Sequence, residues 1–129
     1  MKNNIDDGFY INYTIQQEGI LEAEIKEICR IHDLPIAQFL NEFSRTVALD
    51  YYLKKRDYED CDIAMNGIFA CLIDFSLSHD MLEPAYSIFL AFDDGEYRRS
   101  KDDVSVDPGE KYTRPQVINI LKEYQVIWQ

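Results

Sequence analysis

Between residues 35 and 56 apolar side chains recur every three or four positions, which is the spacing of one face of an α-helix. This stripe comprises Ile36, Phe39, Leu40, Phe43, Val47 and Tyr51. Pro35 suits the first turn of a helix, because its missing N–H would have had no partner there. The basic run at residues 54–56 complements the negative carboxyl end of a helix dipole. We therefore predict a long amphipathic helix here, with further helices packed against its apolar face.

Helical spacing predicts three more helices along the chain. The first lies between residues 19 and 33. Another runs from residue 63 to 77, with Asp60 as its N-cap. The last begins after Thr113, whose side chain would cap it, and it carries Pro115 in its first turn.

Residues 84–92 fit two structures. Their apolar residues have helical spacing, but the run from Tyr86 to Phe92 alternates equally well as a strand. The Glu-Pro pair at the start and the Asp93-Asp94-Gly95 sequence at the end favour a helix. In a strand, the same acidic triplet would form a hairpin turn.

Residues 8–13 are rich in aromatic and β-branched side chains, so we expect an edge strand or an extended arm over the core. A length of 129 residues fits one hydrophobic core, and a hydrophobic content of 47% is enough to fill it. We therefore predict a mainly α fold. Residues 1–129 would form a single domain, a bundle of about five helices with this one short strand at most.

The three cysteines, Cys29, Cys61 and Cys71, form no Cys-x-x-Cys pair, and only Cys29 has a nearby histidine, His32. Two ligands make a poor zinc site, so we expect no metal and no cofactor. Cys29 and Cys71 fall on apolar faces, as is typical of buried thiols in a reducing compartment. The polar amino terminus lacks the plan of a secretory signal, and no apolar run approaches the roughly 18 residues of a membrane span. We therefore expect a cytoplasmic protein with no membrane partner.

The common catalytic motifs are missing from the chain. It has no Gly-rich phosphate loop, no His-Glu-x-x-His and no Gly-x-Ser-x-Gly. Its two histidines, His32 and His79, fall at predicted helix ends, where capping is the simpler interpretation. We therefore expect no enzymatic activity and no catalytic residue. The alternative is a metal-dependent enzyme or regulator that uses loop carboxylates such as Asp102 and Asp103, although their spacing does not match a calcium loop.

Charge gives the main functional signal. Asp and Glu number 24 against 13 Lys and Arg, a formal net charge of −11. Such a surface repels nucleic acid and anionic lipid, and it attracts a basic protein patch. We therefore expect a cationic protein as the partner, and no nucleic acid.

The acidic residues concentrate in two segments. The first, residues 57–62, surrounds Tyr58, and the second lies in the long polar stretch at residues 93–110, where a connection of such length is usually functional. Tyrosine adds flat contact area, and carboxylates add steering and charged hydrogen bonds. The residues that we expect to contact the partner are Asp93, Asp94, Glu96, Tyr97, Asp57, Tyr58, Glu59 and Asp60.

A recognisable pattern occupies residues 80–121. It consists of Phe92-Asp93-Asp94-Gly95-Glu96-Tyr97, then an acidic spacer with Asp107-Pro108, then Glu110-Lys111-Tyr112-Thr113-Arg114-Pro115 and a helix. This pattern resembles small immunity proteins of bacterial contact-dependent growth inhibition and related polymorphic toxin systems. The resemblance implies a cytoplasmic antidote that binds the toxin domain of its cognate effector, often a nuclease, and blocks its substrate site without catalysis. The alternative is an acidic helical adaptor, or a nucleic-acid mimic that inhibits another basic protein.

Overall fold

The computed structural model describes residues 5–127, and within them six α-helices alternate with short connections and one longer loop. The helices are α1 (Asp7–Gln17), α2 (Glu22–His32), α3 (Ile36–Tyr52), α4 (Tyr58–Ser76), α5 (Ala85–Asp94) and α6 (Arg114–Glu123). A π-helical turn, Gly109–Thr113, runs directly into α6. No strand occurs in this part of the chain, so the predicted mainly α fold is confirmed.

The long central helix predicted from the apolar stripe is α3. It packs against every other helix of the described chain. Five of the six stripe residues are buried, and Ile36 at the helix start is partly buried against the core. A regular apolar stripe over several turns is buried only when other helices pack against it, so the remaining helices assemble around α3.

Residues 8–13 lie inside α1, so the predicted edge strand or extended arm is wrong. The Asp6 carboxylate accepts a hydrogen bond from the Phe9 backbone N–H at 3.1 Å and caps the helix. Ile11 and Thr14 then point into the core, where both are fully buried. Burial of one helix face outweighs the weak strand preference of the aromatic and β-branched residues.

Helix α4 begins earlier than predicted. Asp57 caps it, because its carboxylate accepts a hydrogen bond from the Asp60 backbone N–H at 2.9 Å. Asp60 therefore lies in the first turn, where an acidic side chain suits the positive end of the helix dipole. The prediction of Asp60 as the N-cap is wrong by one helical turn.

The carboxy-terminal elements agree with the predictions in part. Residues 85–94 form α5, so the helical alternative is confirmed and the strand is excluded. Pro115 occupies the first turn of α6 as predicted. Thr113 does not cap α6, because its backbone is already helical and its hydroxyl donates to the Ala91 carbonyl oxygen at 2.7 Å. Among the described helices, none is both long and apolar enough to cross a bilayer.

Candidate functional site

The start of α4 and the end of α5 meet through Tyr58. Its hydroxyl donates a hydrogen bond to the carbonyl oxygen of Phe92, and the two ring centroids lie 5.9 Å apart. A Cβ atom added at Gly95 would lie 3.1 Å from the Tyr58 ring, so the chain leaving α5 passes directly against it. The two acidic segments, although distant in sequence, therefore lie side by side on the folded molecule.

Three carboxylates converge at this junction. Asp62 of α4 is half-buried, and Glu96 and Asp93 at the end of α5 are exposed beside it. The Asn66 side-chain amide donates to Glu96 Oε2 at 3.1 Å. We name Asp62, Asp93 and Glu96 the carboxylate cluster.

The electrostatics of the carboxylate cluster show up in its pKa values. Burial raises the pKa of Asp62 to about 8, with further increases from a hydrogen bond to Glu96 and from the negative charges of Glu96 and Asp93. The pKa of Asp93 is also raised, first by desolvation and then by Glu96 and Asp94. No cation contributes to either shift. With a pKa of about 8, Asp62 is mostly protonated at neutral pH and shares its proton with Glu96. The negative charge of the carboxylate cluster therefore lies on Asp93 and Glu96, with no cation to balance it.

Four basic residues near this end of the molecule are paired with other acids. The ion pairs are Arg56–Asp50 at 2.9 Å, Arg99–Asp94 at 3.5 Å, Lys111–Asp102 at 2.6 Å and Arg114–Glu110 at 2.9 Å. Within residues 5–127 no ion pair involves a member of the carboxylate cluster. A cation from outside the chain would meet no internal competitor there.

The predicted contact residues of the second acidic segment differ in their environments. Asp93 and Glu96 belong to the carboxylate cluster, and Tyr97 is 67% exposed next to them. Asp94 also is exposed, but its carboxylate accepts from Gln116 at 2.8 Å and pairs with Arg99. Asp93 and Glu96 thus present the more available charge.

The predicted contact residues of the first acidic segment also differ in their environments. Glu59 is exposed, and Asp60 is partly buried in the first turn of α4. Asp57 is occupied as the N-cap, and Tyr58 is half-buried between α4 and α5. The geometry gives Asp57 and Tyr58 structural roles, while contact with a partner stays a prediction for all eight residues.

Sequence reasoning did not select Asp62 and Asn66 as site residues. Asp62 lies four positions after Tyr58 and Asn66 four further on, so all three share one face of α4. That spacing was the available signal. The spacing indicates a site only when α4 is known to pack against α5, because Glu96 comes from a different segment.

The loop between α5 and the π-helical turn is fixed by Asp102. Its side chain is fully covered, and it accepts hydrogen bonds from Lys111 Nζ at 2.6 Å, the Tyr112 hydroxyl at 2.6 Å and the Arg99 backbone N–H at 2.9 Å. These donors hold the pKa of Asp102 far below its usual range. The Arg99 guanidinium lies 3.7 Å from the centre of the Tyr112 ring. The loop therefore has a defined shape despite its length.

Other reactive side chains offer little chemistry. Burial of Cys29 and Cys71 is confirmed, Cys61 is buried too, and desolvation raises the pKa of all three thiols, to about 11, 11 and 12 respectively. His32 Nε2 lies 3.1 Å from the Tyr10 hydroxyl. In the part of the chain that the structure covers, no group of three His, Cys, Asp or Glu residues is arranged to hold a metal ion.

Comparisons with protein-family models, curated proteins and solved structures found no match to this chain.

Proposed function

We propose that this chain is an immunity protein that binds a cationic toxin domain and neutralises it through the surface around the carboxylate cluster. The observation that carries the proposal is the convergence of Asp62, Asp93 and Glu96 with no cation of the described chain paired to them. Asp93 and Glu96 repel each other across this site, and burial together with their charges keeps Asp62 protonated in the isolated molecule. A lysine or arginine supplied by a partner would relieve that repulsion, so the site favours a basic ligand.

A nuclease toxin fits this requirement. An enzyme that holds a phosphate backbone needs Lys and Arg in its substrate site, because phosphate contacts dominate nucleic-acid affinity. The carboxylates of Asp93 and Glu96, joined by Asp62 once a nearby cation lowers its pKa, can occupy that cationic site in place of phosphates. The inhibitor would then block the substrate by charge mimicry, with no bond made or broken.

The surroundings of the carboxylate cluster also support a protein partner. Tyr97, 67% exposed, presents an aromatic side chain next to Glu96, and aromatic anchors beside desolvated charges are typical of binding hot spots. The residues that carry the resemblance to immunity proteins, 92–97, form the end of α5 and two of the three cluster carboxylates. Resemblance and surface chemistry thus point to the same patch.

The metal-dependent alternative is weakened by Asp102. This residue was one of its two named ligand candidates, with Asp103, and its carboxylate is already engaged by three donors of its own chain. The adaptor or mimic alternative predicts the same acidic surface. It differs in genetic context, because an immunity gene lies directly downstream of a gene for a large secreted toxin.

Growth rescue tests the proposal. The carboxy-terminal domain of the neighbouring toxin, expressed alone, should arrest growth, and co-expression of this chain should restore it. Glu96→Lys should abolish rescue, whereas Asp80→Lys, the same charge change at an exposed position beyond α4, should retain it. Continued arrest with abundant, folded wild-type chain would overturn the proposal.

A further inference from the structure

A groove runs beside the carboxylate cluster, between the α1–α2 connection and α4. Its volume is about 490 Å³, and Leu21 and Glu24 line one side of it while Asn66 lines the other. Gly19 and Gly67 also line the groove. This groove is open to solvent and is distinct from the junction of α4 with α5.

Two glycines let the α1–α2 connection pack closely against α4 beside the groove. A Cβ atom at Gly67 would lie 2.5 Å from Thr14 Cγ2 and 3.2 Å from Gly19 Cα, so α1 and α4 approach too closely for any side chain there. Gly19 itself has φ near +151°, a conformation that favours glycine. Glycine at both positions is therefore needed for this close packing.

Asn66 joins the groove to the carboxylate cluster. It lines the groove, and its amide donates to Glu96 Oε2 at 3.1 Å. Glu59, Asp62, Asn66 and Ala70 follow one another at three- and four-residue spacing along the outward face of α4. From Glu59 to Ala70 this face extends roughly 16 Å, about three helical turns.

The charge along this path has one sign. Glu18 and Glu24 line the groove, no Lys or Arg does, and the Tyr13 hydroxyl donates to Glu24. The carboxylate cluster continues the negative surface at the other end. Leu21, 70% exposed at the groove edge, adds an apolar contact.

We infer that the α4 face and its groove receive one Lys- or Arg-bearing segment of a protein partner, with an apolar side chain seated against Leu21. The inference rests on the proposed function and adds where the partner lies and what its contacting segment contains. Charge complementarity selects the occupant, because an acidic segment would meet Glu18, Glu24 and Glu96 with like charge.

Peptide mapping tests this inference on the intact chain. The probe is a synthetic helical peptide of about twelve residues with Lys and Leu on one face, and the control replaces every Lys by Glu. With ¹⁵N-labelled protein, the Lys peptide should shift amide signals of residues 17–24, 59–70 and 93–96, and the Glu peptide should shift none of them. Shifts that map to other residues, or equal effects of both peptides, would overturn the inference.

Two matched variants sharpen the result. Leu21→Lys places a cation at the groove edge, and Leu77→Lys makes the same change at another exposed apolar residue just beyond α4. Leu21→Lys should raise the dissociation constant at least about tenfold, and Leu77→Lys less than about twofold. Equal effects of the two variants would contradict a groove-specific site.

The toxin domain separates this inference from the proposed function. A toxin that binds the wild-type chain and Leu21→Lys equally well would sink the inference and leave the immunity role standing. A basic toxin that fails to bind while the Lys peptide maps to the groove would sink the immunity role and leave the cationic site standing.

Discussion

The hydroxyl of Tyr58, at the start of α4, donates a hydrogen bond to the carbonyl oxygen of Phe92, in the last turn of α5. Burial raises the pKa of this phenol well above its usual range, so it remains a donor at every physiological pH. The bond ties together the two segments that supply Asp62 and Glu96. Tyr58, which sequence reasoning assigned to partner contact, thus also helps to assemble the surface.

Removal of that hydroxyl should weaken the fold modestly. Tyr58→Phe is expected to lower the free energy of unfolding by about 1 kcal/mol, because the Phe92 carbonyl loses one donor and keeps only the Gly95 backbone N–H. Chemical denaturation measures the change. Tyr97→Phe, at an exposed position, is the control and should leave stability unaltered. Equal stability of Tyr58→Phe and wild type would contradict the structural role.

A methyl group at Gly95 should be far more damaging. Its Cβ would lie 2.1 Å from Thr113 Oγ1 and 3.0 Å from Gly109 Cα, and backbone cannot move aside as a flexible side chain can. Gly95→Ala is expected to cost about 2 kcal/mol or more through overpacking. Thermal denaturation against Ser100→Ala, an exposed loop change, gives the comparison. A melting temperature shared by the two variants would show that this junction is looser than described.

The sequence was most informative where a pattern ran for several turns. The α3 stripe repeats over about four turns, and burial of its members follows from that repeat alone. The segment that became α1 is shorter, and its Phe9, Tyr10 and Tyr13 have strand preference. Its helical state depends on Asp6 capping and on the burial of Ile11, which are consequences of packing and do not appear in local composition.

The candidate site was harder to predict for a related reason. Acidity marked both segments, but acidity alone does not say which carboxylates meet. Asp62 gains its environment from Glu96, and Asp57, although exposed, is engaged as the N-cap of α4. Both facts depend on which helix ends lie together, a property of tertiary structure.

The raised pKa of Asp62 should make stability depend on pH. It rises from 3.8 to about 8 on folding, so between these values the folded state holds the extra proton and stability falls as pH increases, levelling off above about pH 8. Asp62→Asn should remove this slope. Asp62→Asn should raise the free energy of unfolding at neutral pH by about 1 kcal/mol. This is less than the full pKa shift implies, because Asp62 is only half-buried and solvent screens its charge.

Urea denaturation of wild type and Asp62→Asn at about pH 5, 7 and 9 provides the measurement. Asp80→Asn, an exposed position, controls for net charge. Parallel pH profiles for wild type and Asp62→Asn would show that neither burial nor Glu96 raises the pKa of Asp62 on folding. If Asp62→Asn also weakens partner binding, the protein keeps a destabilising carboxyl at this position because binding requires it.

Asp102 should control the order of the loop after α5. Asp102→Asn leaves an amide facing Lys111 Nζ, the Tyr112 hydroxyl and the Arg99 N–H, all of which are donors. Hydrogen exchange should then accelerate for amides in residues 97–106, while those of α3 keep their protection. Asp103→Asn, an exposed neighbour, should have a smaller effect. Unchanged exchange in Asp102→Asn would mean that other contacts fix the loop.

Association kinetics should distinguish Asp93 from its neighbour Asp94. Both are exposed, and either substitution by Asn removes one negative charge. Asp94 is partly neutralised by Arg99 and engaged by Gln116, whereas Asp93 faces Glu96 and has no recorded cationic partner in the described chain. Asp93→Asn should therefore slow association with the toxin domain about threefold at low salt, and Asp94→Asn by less. Stopped-flow rates measured at low and high salt test this, because steering disappears when salt screens the field. Equal rates for the two variants, or a wild-type rate indifferent to salt, would show that the partner is not guided by this carboxylate cluster.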